Sequence, residues 1–525
     1  MRRALELYRS SPRLAALLCG ALAATGFEPM HLAPVALLGL AGLIDLVWRT
    51  ASWRRAALLG WLFGLGHFTV GNTWIATAFT YQAAMPAWLG WIAVVLLSVY
   101  LAVYPMLAAL AAWRLGRANA AALVLAFAGS WIVAEWLRSW VFTGFAWNPL
   151  AALALGPFER PGLAAVLPLT GTYALSGIVM LLAGSLWIAL LRGKADWRGA
   201  ALLILPVALL LSPWSQPAPA APHGDGLAYT LVQPNIPQAE LNDPAFFPKS
   251  FARLAALSAP REAGRPRLLL WPESGVPDYL RDGYPDRYYL DNYGADPGVA
   301  RMRLGKVAGP GTVLMTGTVD LEIREGMAAG ARNSVTALDS GGGIAASYAK
   351  AHLVPYGEYL PMRKLLTPLG LSRLVPGDID FWPGPGPRTL ELGAWGRPGV
   401  QICYEIIFSG QVADRANRPQ FLFNPSNDGW FGAWGPPQHL AQARLRAIEE
   451  GLPVLRATTT GISAVIEPSG AVRQFVPHNR AGRLDGVVPA AYAPTPFSRL
   501  GNSLALLWAA VFLVLCAVAS RRARG

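Results

Sequence analysis

Three residues in the C-terminal half have the types and settings for acyl-transfer chemistry. Cys403 is the one cysteine between residues 215 and 498. It ends Val400-Gln-Ile-Cys403, a predicted strand that runs into Tyr404-Glu405. A thiol at a strand's C-terminal end sits where active sites of α/β folds collect. The thiolate is the useful nucleophile, so a base or a cation must lie near it. Leu268-Leu-Leu-Trp-Pro-Glu273 ends another predicted strand with a carboxylate beside Pro272. Ala345-Ala-Ser-Tyr-Ala-Lys350 ends an apolar stretch with an ammonium. Each alone reads as an ordinary buried thiol, surface acid or exposed lysine. Together they form an acyl-transfer set. Glu273 is the base and Cys403 the nucleophile. Lys350 is the cation that lowers the thiol pKa and steadies an oxyanion.

These residues need a scaffold, and residues 227–498 supply one. Short apolar runs bounded by turn residues lie at 229–232, 268–271, 312–317, 400–403, 420–423 and 452–456. A helical pattern covers 438–450. Such alternation predicts an α/β domain with its own core. Residues 215–226, rich in Pro and Gly, read as a linker.

The rest of the chain is of another kind. Of 525 residues, 54% are hydrophobic and 14% charged, against about 25% charged in soluble domains. Eight apolar runs approach bilayer length: 14–27, 31–48, 56–79, 87–113, 121–141, 166–191, 199–214 and 503–519. A seven-span domain over 1–214 and a last span with a basic tail over 499–525 are therefore predicted. Arg2, Arg3, Arg9 and Arg13, then Arg49, Arg54 and Arg55, occupy one set of loops. Arg114, Arg117, Arg192, Lys194, Arg198, Arg521, Arg522 and Arg524 continue the set. The positive-inside rule then puts both termini in the cytoplasm and the 227–498 domain outside. These segments carry the net charge of +13. It is a topology signal and points to no nucleic acid. Three cysteines exclude a disulfide scaffold, and the six histidines show no metal spacing.

At the three reactive residues the outer domain resembles the carbon–nitrogen hydrolase (nitrilase) superfamily. The resemblance lies in Trp271-Pro-Glu273-Ser, Lys350-Ala-His-Leu-Val-Pro-Tyr-Gly-Glu358-Tyr and Ile402-Cys403-Tyr404-Glu405. Asn424-Pro-Ser-Asn-Asp428-Gly-Trp-Phe431, Gln438-His439 and Arg456-Ala-Thr-Thr-Thr-Gly461 add to it. With spans on both sides of the domain, the whole chain resembles the apolipoprotein N-acyltransferase family. The resemblance implies a polytopic α-helical membrane protein of the bacterial inner membrane. Its periplasmic nitrilase-like domain would be an αββα sandwich carrying a Glu-Lys-Cys triad. The chain departs from the family pattern at Arg332, at Ala239-Glu240 after Ile236-Pro-Gln238, and at Thr459.

What the resemblance implies for function is a two-step exchange without a cofactor or metal. Cys403 attacks an acyl ester of a phospholipid, expected to be phosphatidylethanolamine, and holds the acyl chain as a thioester. The α-amine of a diacylglyceryl-cysteine apolipoprotein then takes it. Glu273 moves the protons, and Lys350 with a backbone N–H after Cys403 holds the oxyanion. Glu358 orients Lys350, while Tyr404 and Glu405 shape the site or position substrate. A membrane-bound amidase hydrolysing a C–N bond with the same triad is the alternative. A ligand-binding receptor or transporter fits less well, because the spans offer no ion pathway. The apolar stretch 362–381 is expected to be a lid or membrane-dipping arm. Asp45, Glu135 and Arg138 fall in or beside predicted spans, with Glu135 and Arg138 spaced to pair. His352 and His439 read as structural.

Overall fold

The computed structural model describes residues 8, 10–81, 86–192, 226–260, 266–290, 292–369 and 379–523, with 204, 208 and 209. The predicted seventh span apart from residues 204, 208 and 209, the linker apart from residue 226, and the 370–378 part of the proposed arm lie outside the described residues. The chain divides into two compact units. One comprises 1–76, 88–216 and 494–525; the other comprises 77–87 and 217–493.

The first unit is helical. Its described helices include α1 (Pro12–Ala24), α2 (Ala33–Arg49), α3 (Trp53–Gly71), α4 (Leu89–Leu101), α5 (Val103–Gly116), α6 (Ala120–Arg138) and α7 (Leu167–Arg192), with Pro496–Leu500 and Asn502–Arg522 near the C-terminus. Among the described residues, four segments are long and apolar enough to cross a membrane: Leu89–Gly116, Ala120–Arg138, Leu163–Leu190 and Asn502–Arg522. The predicted run 87–113 is two helices that meet at Ala102. Pro105 explains the break, since it has no N–H to bond back to Leu101. The third predicted run stops at Gly71, not 79, and residues from Thr77 belong to the other unit. α1 and α3 pack backbone to backbone. A Cβ at Gly20 would lie 1.9 Å from Phe63 O, and one at Gly66 would lie 2.1 Å from Leu17 O. Only glycine fits at this small-residue contact.

Polar groups in this unit hold backbone. Arg138 donates to Phe145 O at 2.9 Å and Trp147 O at 2.7 Å. Glu135 accepts from Leu150 N and Trp131 Nε1, each at 3.0 Å. The i, i+3 spacing thus directs both residues onto the 145–150 segment. Asp45 instead accepts from the side chains of Tyr8, Arg49 and Trp187.

The second unit is built on two mixed sheets. β1 (Ala228–Gln233), β2 (Arg267–Leu270), β3 (Thr312–Arg324), β4 (Met327–Leu338), β5 (Ile344–Ala349) and a later strand, Gly482–Val487, form one. Its order is Gly482–Val487, β1, β2, β3, β4, β5. The other sheet holds β6 (Pro398–Val400), β7 (Phe421–Ser426), β8 (Val454–Thr458), β9 (Ser463–Ile466) and β10 (Val472–Val476). β1 and β2, β2 and β3, β6 and β7, and β7 and β8 are parallel pairs. Parallel strands are buried on both faces and read as unbroken apolar runs, which is why these were legible. Helices α8 (Phe247–Ser258) and α9 (Pro297–Ala308) cover the first sheet through Leu254, Ala300 and Leu304, packed with Leu269, Trp271 and Leu314. Helix α10 (Gly435–Glu450) packs on the second. Between the sheets, Gln233 Oε1 accepts from Thr458 Oγ1 and Ser463 N. The layers run helix, sheet, sheet, helix: a nitrilase-like sandwich.

Candidate active site

The three predicted reactive residues follow three different strands. The β2 ladder continues past its end, with Trp271 N bonded to Met315 O and Gly317 N to Pro272 O. Glu273 is thereby pressed onto β3. A Cβ at Gly317 would lie 2.7 Å from Glu273 Cα, so only glycine allows the approach. Lys350 follows β5, its N–H bonded to Asn333 O on β4 at 2.8 Å. Gln401 N bonds Phe423 O and extends β6 toward Cys403.

Cys403 opens the turn Cys403–Ile407 with φ of +50°. A left-handed non-glycine residue costs about 1–3 kcal/mol and needs surroundings that enforce it. Helix α10 supplies them. His439 Nε2 lies 3.1 Å from Cys403 O, and Arg446 Nη1 donates to Ile407 O at 3.1 Å. One helix thus grips both ends of the turn. Glu405 fastens the middle. Its Oε2 accepts from Ile402 N at 2.7 Å, and its Oε1 accepts from Tyr348 Oη and Ala351 N at 2.8 and 2.7 Å. Burial pushes its carboxyl up to about 7, against the pull of these donors. Glu405 therefore ties the cysteine turn to the segment holding Lys350.

The charges converge on Lys350. Lys350 is 1% exposed. Its Nζ lies 3.0 Å from Glu358 Oε1 and 3.6 Å from Glu273 Oε1. Burial opposes the ammonium, but Glu358, Glu273 and Cys403 outweigh it and hold its pKa above the ordinary value. Glu273 also accepts from Asn333 Nδ2 and from Asn427 N, both at 2.7 Å. The Asn427 N–H also favours the Cys403 thiolate. Burial pushes the thiol well up, Glu273 adds to that, and Lys350 pulls the other way without winning. Burial thus favours the thiol over the thiolate. Lys350 acts on the thiol in the expected direction but does not create a standing thiolate.

Two elements escaped the sequence reading. Asn333 donates to both Glu273 Oε1 and Glu358 Oε1, the latter at 2.8 Å. The motif Arg332-Asn333-Ser334 was its signal, but β4 is rich in small and polar residues and showed no apolar run. The second element is a wholly buried set of Asp428, His439 and Arg456. Arg456 Nη2 donates to Asp428 at 2.6 and 2.9 Å. Burial disfavours the Asp428 charge, yet Arg456 and His439 hold its pKa down to about 2. The sulfur, one Asp428 oxygen and a His439 nitrogen lie within 4.8 Å of one another. A metal is a poor fit there, since Arg456 already occupies the Asp428 carboxylate and His439 Nδ1.

Tyr404 is buried and edges against Phe408, which stacks on His352. Thr459 Oγ1 donates to Asn427 Oδ1 at 2.7 Å and so supports the segment beside Glu273. In the proposed arm, Met362 and Leu365 are 62% and 67% exposed. The free Cys19 and Cys516 lie in α1 and in Asn502–Arg522.

Comparison with known proteins gives one consistent result. A family model described as apolipoprotein N-acyltransferase N-terminal domain matches residues 19–185, and one described as carbon-nitrogen hydrolase matches 231–489. The apolipoprotein N-acyltransferase of Rhodopseudomonas palustris is 33% identical over 525 residues, covering 96% of this chain and 95% of that protein. That of Bradyrhizobium diazoefficiens is 35% identical over 535 residues, covering 97% and 95%. Among solved structures, an amidase from Nesterenkonia sp. matches 52% of this chain and 93% of its own, at 21% identity and a TM-score of 0.33. With two relatives above 30% identity along nearly their whole length, the chain belongs to the apolipoprotein N-acyltransferase family.

Proposed function

We propose that the chain moves a fatty acyl group from a phospholipid, through a Cys403 thioester, to the α-amine of a diacylglyceryl-cysteine apolipoprotein. The observation that carries this reading is the buried group itself: Lys350 within 3.6 Å of Glu273, with the buried Cys403 on a turn that Glu405 ties to the Lys350 segment. Glu273 takes the thiol proton as sulfur attacks the ester carbonyl. Lys350 and the Tyr404 N–H hold the oxyanion. The C–O bond breaks, and the proton passes from Glu273 to the departing lysophospholipid. In the second half the amine attacks the thioester. Its proton goes to Glu273, the C–S bond breaks, and the thiol is restored as the amide forms. A thiol favoured over the thiolate supports this order, because it makes the base necessary. Glu358 holds Lys350, while Tyr404 and Glu405 shape the turn.

The same proposal assigns domains. Residues 1–214 are a seven-span domain, 215–226 a linker, 227–498 the periplasmic catalytic domain, and 499–525 the last span and a basic cytoplasmic tail. Alternating basic loops support cytoplasmic termini in the bacterial inner membrane. Keeping the site with the bilayer spares the extraction of lipid chains, at about 0.8 kcal/mol per CH₂. The stretch 362–381 admits the acyl chain.

The test is mass spectrometry of full-length protein mixed with phosphatidylethanolamine vesicles. A fatty-acyl mass on Cys403, absent in Cys403→Ser and lost on adding a diacylglyceryl-cysteine peptide, is expected. Rapid loss of the acyl group to water without the peptide would favour the hydrolase instead.

A further inference from the structure

We propose that His439 is a positioning residue that aims the oxyanion donor by fixing the Cys403–Tyr404 peptide. This rests on the acyl-transfer reading above. His439 is wholly buried, with no solvent to serve its ring nitrogens. Nε2 faces Cys403 O at 3.1 Å. Nδ1 lies 3.0 Å from Arg456 Nη2 and 3.0 Å from Asp428 Oδ1. Arg456 can only donate and the carbonyl can only accept. Any ring form with a proton on Nε2 donates to Cys403 O: the neutral form accepts from Arg456 at Nδ1, and the imidazolium donates from Nδ1 to Asp428. The other tautomer would set a lone pair against the carbonyl and an N–H against the guanidinium. Burial and then Arg456 favour the neutral form. Arg456 in turn is locked by Asp428 and by Ser426 Oγ at 2.9 Å. The chain of contacts therefore fixes one direction for the Cys403 carbonyl.

The consequence follows from peptide geometry. Among described residues the one cis bond is Glu28–Pro29, so the Cys403–Tyr404 peptide is trans. In a planar trans peptide the C=O and the next N–H point in opposite directions. Holding Cys403 O on His439 therefore sets the direction of the Tyr404 N–H. Cys403 sits at positive φ at the first residue of the 3-10 turn Cys403–Ile407, so its carbonyl is held by that turn and by His439 together. The sulfur lies within 4.8 Å of a His439 nitrogen, but the hydrogen bond at 3.1 Å goes to the backbone carbonyl, and the proposed action is through that peptide.

The experiment uses the full-length protein in detergent with p-nitrophenyl butyrate and, separately, phosphatidylethanolamine vesicles. With the ester, sulfur bonds to the acyl carbon, p-nitrophenolate leaves, and the thiol proton passes to Glu273. His439→Leu should lower the acylation rate constant about 100-fold, as loss of one oxyanion donor does, with KM changed less than about threefold. His439→Gln can still donate to Cys403 O and should stay within about fivefold of the parent. Alkylation of Cys403 by iodoacetamide forms no oxyanion, so its rate should be nearly equal in all three. Parent-like acylation by His439→Leu overturns the proposal. So does alkylation that falls in step with acylation, or a Gln variant as slow as Leu. If His439→Leu does not fold, His439→Asn, too short to reach the carbonyl, takes its place with the same expectations. Acylation by the ester but not by vesicles would sink the phospholipid donor and leave the His439 ranking to decide on the ester. A parent protein acylated by neither would overturn both readings.

Discussion

The ammonium of Lys350 is bonded to Glu358, Nζ to Oε1, at 3.0 Å. Glu273 stands farther off, at 3.6 Å from the same nitrogen. The lysine's nearer counter-charge is therefore Glu358, and on the proposed mechanism this leaves Glu273 to carry the proton. All three side chains are buried, where screening is weak.

That division of labour makes Glu358 a stability residue as well as a site residue. Removing one partner of a buried ion pair leaves an uncompensated charge and costs about 3–5 kcal/mol. Glu358→Ala should lower the thermal midpoint of the full-length protein in detergent. Glu358→Gln keeps an oxygen for Lys350 and should lower it less. On the proposed mechanism both should slow acylation of Cys403 by at least about tenfold, because Lys350 is no longer held. A Glu358→Ala protein with unchanged midpoint and rate would remove this assignment.

The thiol makes a sharper test, since its neighbours act with opposite signs. Burial and Glu273 raise the Cys403 pKa, and Lys350 lowers it. Replacing Glu273 by Gln removes a raising charge, so the pH midpoint of iodoacetamide alkylation at Cys403 should move down. Replacing Lys350 by Gln removes the lowering charge, so the midpoint should move up. Acylation should fall in both, by about 10²- to 10⁴-fold for the lost base. The mismatch between alkylation and acylation in Glu273→Gln separates a proton carrier from a group that merely tunes the thiol. Midpoints moving in the same direction would contradict the geometry.

The parts of the fold legible in the sequence were those where burial leaves an unbroken apolar run. Parallel β2, β7 and β8 are of that kind. The missed strand β4, Met327–Leu338, reads Met-Ala-Ala-Gly-Ala-Arg-Asn-Ser-Val-Thr-Ala-Leu, too small and polar to register. It carries Asn333, so the site residue was missed with its strand. Glu273, Lys350 and Cys403 were legible because each ends a strand with a reactive group. His439 was visible only as part of a motif. Its partners Asp428, Arg456 and Cys403 lie 11, 17 and 36 residues away, and only the folded sheet and α10 bring them together.

Asn333 can be tested by charge as well as by size. It now donates from one Nδ2 to Glu273 and Glu358. Asn333→Ala deletes both bonds and should cost about 1–3 kcal/mol with a moderate loss of acylation. Asn333→Asp replaces the donor by a third carboxylate facing two others. Like charges at this distance repel, so Asp should be the worse variant in both thermal midpoint and rate. The reverse order would mean that Asn333 merely fills space.

The acid limb of stability should belong in part to Asp428. Its pKa is held down to about 2 in the folded protein, against 3.8 for an ordinary aspartate. The unfolded chain therefore binds the proton first as pH falls. The stability from this group is fully present above pH 3.8 and is lost as pH drops through about 2. Each tenfold difference in proton affinity between the two states is worth about 1.36 kcal/mol, so the group contributes about 2 kcal/mol. Asp428→Asn cannot titrate, and it leaves the Arg456 charge buried without its carboxylate. The variant should be destabilised at neutral pH. Its thermal midpoint should also fall less than the parent's between about pH 4 and pH 2, when both are measured in the same detergent. Equal slopes in that window would show that Asp428 is ionised no more readily in the fold than in the open chain. Arg456 and His439 would then not be the charges that hold it.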